Sequence, residues 1–359
     1  MKTETEIIAI VRRIVTGEFP DKDISSLEPK SSGLMHHNFL VKFTDGSRVF
    51  YRGYRDDGLA ADKKDIYFGD HISIEREVAI MRLLREKTNI PVPEILAFKQ
   101  DEDGKHLLVT NLRGVHFRDY LDSNGHDPDV FLDSLRRIGA TLGTAGKASL
   151  EGFSSIQPAE AHITADASFA DRWKNILGRH ENPKVRSMFS DDEWLELQES
   201  ITRMIAGIRK LQLRSQPVIY DLHARNFNVF THGANTGALS GAFDVEFAQA
   251  APACLELACF AVQIFPLYGM KYFERAQAEF LSGWRESSGR SMETDCILYD
   301  ACVLNHALSA VGFYSGLNDG IRDGWSVLFK DWAMGISRGN YDPAFVVELT
   351  RSLHKVPKL

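Results

Sequence analysis

The first part of the chain alternates between hydrophobic and polar residues in the pattern of β-strands. Residues 37–43 and 48–54 are two such runs, separated by the turn sequence Thr44-Asp45-Gly46-Ser47, so they predict a β-hairpin. Residues 73–87 instead place apolar side chains at the spacing of one helical face, which predicts an amphipathic helix. The apolar run 106–112 predicts a buried strand. This part of the chain is therefore expected to be β-rich with one helix.

The remainder of the chain has mainly helical periodicity. The clearest helical segments are residues 128–147, 191–213 and 270–289. A chain of 359 residues exceeds the size at which one hydrophobic core stops growing, so two lobes are expected. The predicted fold class is α+β, with a small β-rich N-terminal lobe over residues 1–112 and a larger, mainly helical C-terminal lobe over residues 113–359.

Composition and charge exclude several classes of protein. Hydrophobic residues make up 44% and charged residues 25% of the chain, as in ordinary globular proteins. The 42 basic and 49 acidic residues give a net charge of -7, which argues against a nucleic-acid or anionic-membrane partner. The N-terminal segment lacks a signal-peptide core, and the longest apolar stretch, Cys254–Tyr268, is too short to span a bilayer and contains Glu256. A cytoplasmic protein is expected, and its oligomeric state is left open.

Acidic and amide side chains follow two predicted strands in the second half of the chain. Asp221 follows the apolar run 218–220 and is expected in a loop, and Asn226 is expected at the start of a second strand. Residues 231–237 have the composition of a turn. The chain can therefore fold back and set Asp244 beside Asn226.

Side-chain oxygens of this kind suit Mg²⁺. This ion usually takes one or two protein carboxylates and keeps water and phosphate oxygens as its other ligands. Asn226 and Asp244 meet that need, and Glu246, expected on the same strand face as Asp244, could support a second ion or a ligating water. The alternative is that Asp221 and Asn226 are ordinary turn residues and that Asp244 caps a bend.

These motifs resemble the signature of the aminoglycoside phosphotransferase and choline-kinase-like enzymes, which are relatives of protein kinases. That signature, His-Gly-Asp-x-x-x-x-Asn followed by Ile-Asp-Trp-Glu or a similar sequence, is similar to residues 219–226 and 243–246, and the resemblance extends over about residues 28–262. Two positions depart from it, since Ile219-Tyr220 replace the His-Gly pair and Glu256 stands where the family usually has Asp. In that family these positions brace the catalytic loop, so the departures concern its geometry more than its chemistry.

The resemblance implies a two-lobed, protein-kinase-like fold and phosphoryl-transfer chemistry. Asp221 would take the proton of the acceptor hydroxyl, while Mg²⁺ would neutralise the phosphates of ATP or GTP. The Mg²⁺ ligands would be Asn226, Asp244 and Glu246. His223 and Arg225 lie inside the same loop, and His223 is interpreted as loop packing rather than as a general base.

The N-terminal lobe contains a candidate pair of opposite charges. Arg52 lies mid-strand, at the place where kinases carry the lysine that grips the nucleotide phosphates. Glu77 falls on the apolar face of the predicted helix, where an acid needs a partner. We therefore predict an Arg52–Glu77 pair in the nucleotide-bound state, similar to the strand-Lys to helix-Glu pair of kinases. The alternative is a surface arginine and a helix-edge glutamate, each with solvent as its partner.

Further nucleotide contacts are implied by the resemblance. Ser32 and Gly33 lie where the phosphate-covering loop of the family would lie, and their backbone amides could cradle phosphate. Val109 and Asn111, both in the predicted buried strand, would offer main-chain groups to the adenine. His36 has no acidic or cysteine partner at metal-ligand spacing and is interpreted as an ordinary loop residue.

Three functions fit these residues. The favoured one is an ATP- or GTP-dependent phosphotransferase that moves the γ-phosphate to a hydroxyl of a small-molecule metabolite or antibiotic, so that its partners are a nucleotide and a hydroxylated acceptor. The alternative is a pseudokinase, a nucleotide-binding or interaction module without turnover, which the loss of His-Gly before Asp221 motivates. A metal-dependent hydrolase lacks the histidine ligands that usually accompany such acids.

The acceptor pocket is expected to be built by residues 262–359. Acids on amphipathic helices are usually solvated, so a neutral or singly charged acceptor is expected rather than a polycation. Much of the contact area would come from aromatic residues such as Phe265, Tyr268, Tyr314 or Trp325.

Overall fold

The structure of the chain is a computed structural model with two lobes, and it describes residues 2–30, 36–54, 66–158, 165–315 and 320–340, together with residues 64 and 344. The N-terminal lobe is built around one antiparallel sheet. In chain order its elements are α1 (Glu4–Glu18), β1 (Ile24–Lys30), β2 (His36–Phe43), β3 (Arg48–Tyr54), α2 (Ile74–Lys87), β4 (Ile95–Asp101) and β5 (Gly104–Thr110).

The N-terminal sheet has the strand order β1-β2-β3-β5-β4, and each neighbouring pair is antiparallel. The predicted hairpin is present as β2 and β3, joined by a turn in which Gly46 has a φ of 81°, a value that glycine adopts without strain. Helix α1 buries Val11, Ile14 and Val15 against the sheet. Helix α2 begins where the Ser73 hydroxyl accepts the N–H of Arg76, the usual way in which a serine caps a helix.

The C-terminal lobe is mainly helical, with short strands near its junction with the first lobe. Its helices are α3 (Phe117–Ser123), α4 (Pro128–Gly143), α5 (Phe169–Gly178), α6 (Pro183–Arg186), α7 (Asp191–Ile208), α8 (Cys254–Gln263), α9 (Met270–Ser288), α10 (Cys296–Tyr314) and α11 (Gly320–Ser337). Its strands are β6 (Val115–His116), β7 (Ser154–Ser155), β8 (Gln216–Val218), β9 (Phe227–Val229), β10 (Leu239–Ala242) and β11 (Gln249–Ala251), in the orders β10-β9-β6 and β7-β11-β8. The predicted α+β organisation is confirmed.

A shared hydrophobic core joins α2 to the C-terminal lobe. Ile74, Met81 and Leu84 of α2 belong to the same buried cluster as Phe117 of α3 and Phe260 of α8. Burying these side chains removes a large apolar area from water, which stabilises the contact. The helix that carries Glu77 is therefore packed against both lobes.

Helix α10 lies at the centre of the C-terminal lobe. Among the described residues it is the one helix that is long and apolar enough to cross a membrane, and 67% of that stretch is buried inside the protein. A core helix of a folded protein has the same composition, because it is apolar on all sides.

Helices α4 and α9 cross closely enough to require glycine. A Cβ atom on Gly283 would lie 1.8 Å from the carbonyl oxygen of Arg136, and one on Gly139 would lie 2.2 Å from that of Phe280.

We expect Gly283→Ala to lower the free energy of unfolding by about 1–3 kcal/mol, the usual cost of overpacking, as measured by urea denaturation. Gly17→Ala in α1 is the control, since its Cβ meets nothing within 4 Å. Equal effects of the two substitutions would contradict the close crossing.

Candidate active site

A buried arginine links the two lobes. Arg52, in the middle of β3, is 4% exposed. Its Nη1 donates to Oε1 of Glu77 in α2 at 2.6 Å, so the predicted pair is present. Its Nη2 donates to Oδ1 of Asp244 and to Nδ1 of His36, each at 2.8 Å, and lies 3.7 Å from Oε2 of Glu246. His36 is thus a buried partner of Arg52 rather than an ordinary loop residue.

Three carboxyl groups surround Arg52, and two of them are buried. Burial raises the pKa of Glu77 to about 7, although Arg52 opposes the shift. Burial, together with the charge of Asp244, raises the pKa of Glu246 well above its usual value. Burial also lowers the pKa of His36, which leaves its imidazole neutral as an acceptor of the Arg52 N–H. Both glutamates therefore tend to hold a proton until more positive charge is supplied.

The loop that carries Asp221 has a strained backbone. The φ angles of Tyr220, Asp221 and Asp244 are 59°, 53° and 54°, in the left-handed region that is uncommon for residues other than glycine. Tyr220 stands where the family it resembles has glycine, which adopts this φ freely. Strain of this kind persists where surrounding contacts impose it, and it is concentrated at functional sites.

Hydrogen bonds from several segments hold Asp221. The hydroxyl of Tyr67 donates to Oδ1 of Asp221 at 3.0 Å, and Nε2 of Gln263, at the end of α8, donates to the same oxygen at 3.1 Å. The side-chain amide of Asn226 donates to the carbonyl oxygen of Asp221 at 2.9 Å. Burial raises the pKa of Asp221 above its usual value. Tyr67 and Gln263 are not predicted from the sequence, because no local pattern indicates contacts between such distant segments.

Glu256 of α8 braces the same loop. Its Oε2 accepts the N–H of Ile219 at 3.0 Å, two residues before Asp221. This is the bracing role that the resemblance implies for the position. Burial raises the pKa of Glu256 to about 7.

The structure corrects the expected placement of Glu246. Strand β10 ends at Ala242, Asp244 has the left-handed conformation, and Glu246 lies in the 3-10 helix Val245–Phe247. Asp244 and Glu246 therefore do not share a strand face. The turn moves the Glu246 side chain inward, where it is 5% exposed, whereas that of Asp244 is 35% exposed. Asn226 is close to this turn as predicted, since its carbonyl accepts the N–H of Phe243 at 3.1 Å.

A cleft of about 510 Å³ opens between the lobes beside these residues. Those of the predicted site residues that line it are Arg52, Glu77, Val109, Asn111, Asn226 and Asp244. Lys30 and Arg225 add positive charge to its wall, and His223 lines it as well. His223 is therefore a cleft residue, not the loop packing that the sequence suggested, and Arg225 lines the cleft with it. Ser32 and Gly33 lie outside the described residues.

Two of the aromatic residues expected at the acceptor pocket belong to the core instead. Phe265 and Tyr268 lie in the buried 3-10 helix after α8, and Tyr268 stacks on Phe131 with ring centroids 4.3 Å apart. A core residue supplies no contact area to a substrate, so this expectation is wrong for both. Tyr314 packs edge-on against Trp325, with ring centroids 5.1 Å apart.

The oxygen ligands in the cleft fit Mg²⁺ bound together with a nucleotide. In the part of the chain that the structure describes, no group of three or more His, Cys, Asp and Glu side chains could hold a metal ion. Mg²⁺ requires fewer protein ligands, because water and phosphate oxygens complete its shell. Asn226 and Asp244 both line the cleft. Oε2 of the buried Glu246 has no hydrogen-bond partner among the described residues.

Comparison with known proteins shows the family of the chain. The sequence pattern of APH, the phosphotransferase enzyme family, matches residues 27–291, so the chain belongs to this family. A search of curated proteins finds no significant match.

Solved structures share the fold at low sequence identity. The GDP and kanamycin complex of APH(2")-IIia matches with a TM-score of 0.60 and 14% identity, over 92% of this chain and 99% of that one. Macrolide 2'-phosphotransferase type I matches with a TM-score of 0.55 and 14% identity, over 92% and 97% of the two chains. Macrolide 2'-phosphotransferase MphH from Brachybacterium faecium matches with a TM-score of 0.53 and 14% identity, over 96% of this chain and 97% of that one. The predicted two-lobed, protein-kinase-like fold is confirmed.

The raised pKa of Glu256 makes stability depend on pH. Its folded-state pKa of about 7 lies above the ordinary 4.5, so the stability conferred by protonated Glu256 is complete below about pH 4.5 and is lost as the pH rises to about 7. Glu256→Gln keeps an oxygen for the Ile219 N–H but does not ionise. We expect the variant to gain stability relative to the wild type between pH 5 and pH 8, by up to about 3 kcal/mol.

Denaturant unfolding of both proteins at several pH values measures this difference. Glu256→Ala is the control, because it removes the hydrogen-bond acceptor and should lose stability across the whole range. A difference between wild type and Glu256→Gln that does not change with pH would contradict the assignment.

Proposed function

We propose that the protein is a small-molecule kinase, which transfers the γ-phosphate of ATP or GTP to a hydroxyl of its acceptor. One observation carries the proposal. Arg52 and Glu77 from one lobe meet Asp244 from the other at the wall of a cleft, with Asn226 beside them. Asp221 lies next to Asn226. Membership of the phosphotransferase enzyme family supports the same reaction class.

The nucleotide would bind in the cleft between the lobes. Val109 and Asn111 line it and would present main-chain groups to the base. Arg52, Lys30 and Arg225 would face the phosphates, and arginine can bind phosphate oxygens through two N–H groups at once. The similar fold of APH(2")-IIia was solved with GDP, which supports a nucleotide site in this protein.

Asn226 and Asp244 would hold Mg²⁺, with Glu246 behind them. Glu77, Asp244 and Glu246 are three carboxylates against the guanidinium of Arg52. When all three are ionised, one positive charge against three negative charges leaves two, which a divalent cation would neutralise. When bound, Mg²⁺ supplies charge neutralisation to the phosphates.

Asp221 would accept the proton of the acceptor hydroxyl. Its carboxylate is held in place by Tyr67 and Gln263, and its main chain by Asn226. A positioned carboxylate orients the hydroxyl and removes its proton as the new O–P bond forms. We also propose that the reaction takes place in the cytoplasm, where ATP and GTP are available.

The acceptor is proposed to be a neutral or singly charged hydroxylated metabolite. The structurally similar proteins include an enzyme solved with kanamycin and two macrolide phosphotransferases, so both antibiotic classes belong in a screen. The test is a phosphate-transfer screen of the purified protein with Mg–ATP or Mg–GTP against metabolites, macrolides and aminoglycosides. Salt-sensitive binding and phosphorylation of an aminoglycoside would overturn the proposed charge class.

A pseudokinase is the second candidate, and the strained φ of 59° at Tyr220 is the observation that favours it. A module of this kind would bind Mg–nucleotide without turnover. The screen separates the two candidates, because binding without transfer to any acceptor or to water would favour the pseudokinase.

Asp221→Asn tests the base. The substitution keeps the shape of the side chain but removes the proton acceptor, so turnover should fall by about 10² to 10⁴. Nucleotide affinity, measured by calorimetry, should barely change, because Asp221 contacts the acceptor in this scheme. Normal turnover in the variant would end the assignment.

Asp244→Ala tests the metal site. Loss of the carboxylate that faces the cleft should abolish Mg²⁺-dependent nucleotide binding. Asp221→Asn is the matched control, since it removes a neighbouring carboxylate and should leave binding intact. Unchanged Mg–nucleotide affinity in Asp244→Ala would show that the site is elsewhere.

A further inference from the structure

Residues 66–72, here called the strap, lie in the sequence between β3 and α2 but pack into the C-terminal lobe. Tyr67 and Phe68 of the strap belong to the hydrophobic cluster built by α5, α7, α8 and α10. They are 9% and 2% exposed. A segment of the first lobe thereby reaches the core beneath Asp221.

The strap places a hydroxyl directly on Asp221. The Tyr67 hydroxyl donates to Oδ1 of Asp221 at 3.0 Å, and the amide of Gln263 donates to the same oxygen at 3.1 Å. The other oxygen, Oδ2, has a long contact of 3.5 Å with Nδ2 of Asn226. Two donors occupy Oδ1, so Oδ2 is the oxygen that remains to accept a hydrogen bond from the hydroxyl of an acceptor.

Buried polar residues of α10 hold Tyr67 in place. Asn305 donates from Nδ2 to the carbonyl oxygen of Tyr67 at 3.2 Å, and its Oδ1 lies 2.9 Å from Nε2 of His180. The ring of His306 lies 5.1 Å from that of Tyr67. Asn305 and His306 are 0% and 6% exposed. Buried networks with satisfied hydrogen bonds are rigid, so the structure imposes the position of the Tyr67 hydroxyl.

The far end of the strap is anchored as well. Asp70 accepts hydrogen bonds from Arg172 at 2.7 Å and from Gln249 at 3.0 Å. The carbonyl of His71 accepts a bond at 3.1 Å from Nη1 of the buried Arg76 in α2. The strap is thus held at Tyr67, by its contact with α10, and again at Asp70 and His71.

We propose that Tyr67 and Gln263 are positioning residues that fix the Asp221 carboxylate, so that Oδ2 faces the acceptor hydroxyl. The proposal rests on the proposed function, in which Asp221 is the base. In that reaction the acceptor O–H bond breaks and its proton passes to Oδ2. The acceptor oxygen forms a bond to the γ-phosphorus as the bond to the nucleoside diphosphate oxygen breaks. Tyr67 and Gln263 exchange no atoms and act through Asp221.

Tyr67→Phe removes the donor and keeps the ring, and Gln263→Met removes the other donor at similar volume. The readout is hydrolysis of Mg–ATP and Mg–GTP, with water as the acceptor, beside nucleotide affinity by calorimetry. A lost hydrogen bond to a charged group should lower turnover about tenfold in each variant, with the dissociation constant unchanged. Tyr51→Phe is the matched control, because it removes a buried hydroxyl that bonds to His106 at 2.7 Å, and it should keep wild-type turnover.

Two further measurements separate positioning from a merely structural effect. In an Asp221→Asn background, Tyr67→Phe should cause no additional loss, since the group it positions is gone, whereas a structural effect would add to the loss. Crystal structures of the Tyr67→Phe/Gln263→Met variant should show the Asp221 carboxylate rotated from its wild-type position.

The outcomes distinguish this proposal from the proposed function. Wild-type turnover in Tyr67→Phe together with loss in Asp221→Asn would overturn positioning and leave the kinase assignment intact. Equal turnover in the wild type and Asp221→Asn would overturn the role of Asp221 as the base. In that case the crystal structure of the Tyr67→Phe/Gln263→Met variant still tests the positioning role. An Asp221 carboxylate that keeps its wild-type position in this variant would overturn that role.

Discussion

The burial of the Arg52 guanidinium is the constraint on which the arrangement of the site depends. A buried cation is very costly unless it is paired and hydrogen-bonded. The partners come from both lobes, since Glu77 lies on α2 while Asp244 and Glu246 lie on the turn after β10. Moving the lobes apart would separate the Arg52 guanidinium from Asp244 and Glu246 and leave it with Glu77 and His36 alone. The same ion pairs that hold the lobes together therefore set the spacing of the groups that would face a nucleotide.

Hydrogen bonds to the C-terminal lobe fix the position of α2. Arg76, next to Glu77, is fully buried and donates to the carbonyls of Ile156 at 3.2 Å and Ala248 at 3.3 Å in the C-terminal lobe. These bonds hold the helix against the second lobe. The Arg52–Glu77 pair expected from the sequence is present, and the helix that carries Glu77 is held in place by these bonds to the second lobe.

The sequence predicts those parts of the site that depend on local order and fails where distant segments meet. Arg52 and Glu77 could be paired because a charge on an apolar face needs a partner. The short turn after β10, which buries Glu246, was missed, because its residues also fit a strand. Tyr67 and Gln263 had no sequence signal, since only the path of the folded chain brings them to Asp221.

The replacement of the family's glycine by Tyr220 is compensated by packing. Glycine would adopt the φ of 59° without cost, whereas a bulky residue is strained there. The ring of Tyr220 lies 4.9 Å from those of both Tyr67 and Phe68, and its hydroxyl is 2.9 Å from Nδ1 of His306. These buried contacts hold the backbone in the conformation that glycine would adopt freely. The loop thus keeps a geometry in which Asp221 faces Asn226. The core of the C-terminal lobe holds Tyr220 in a left-handed backbone conformation that tyrosine does not favour.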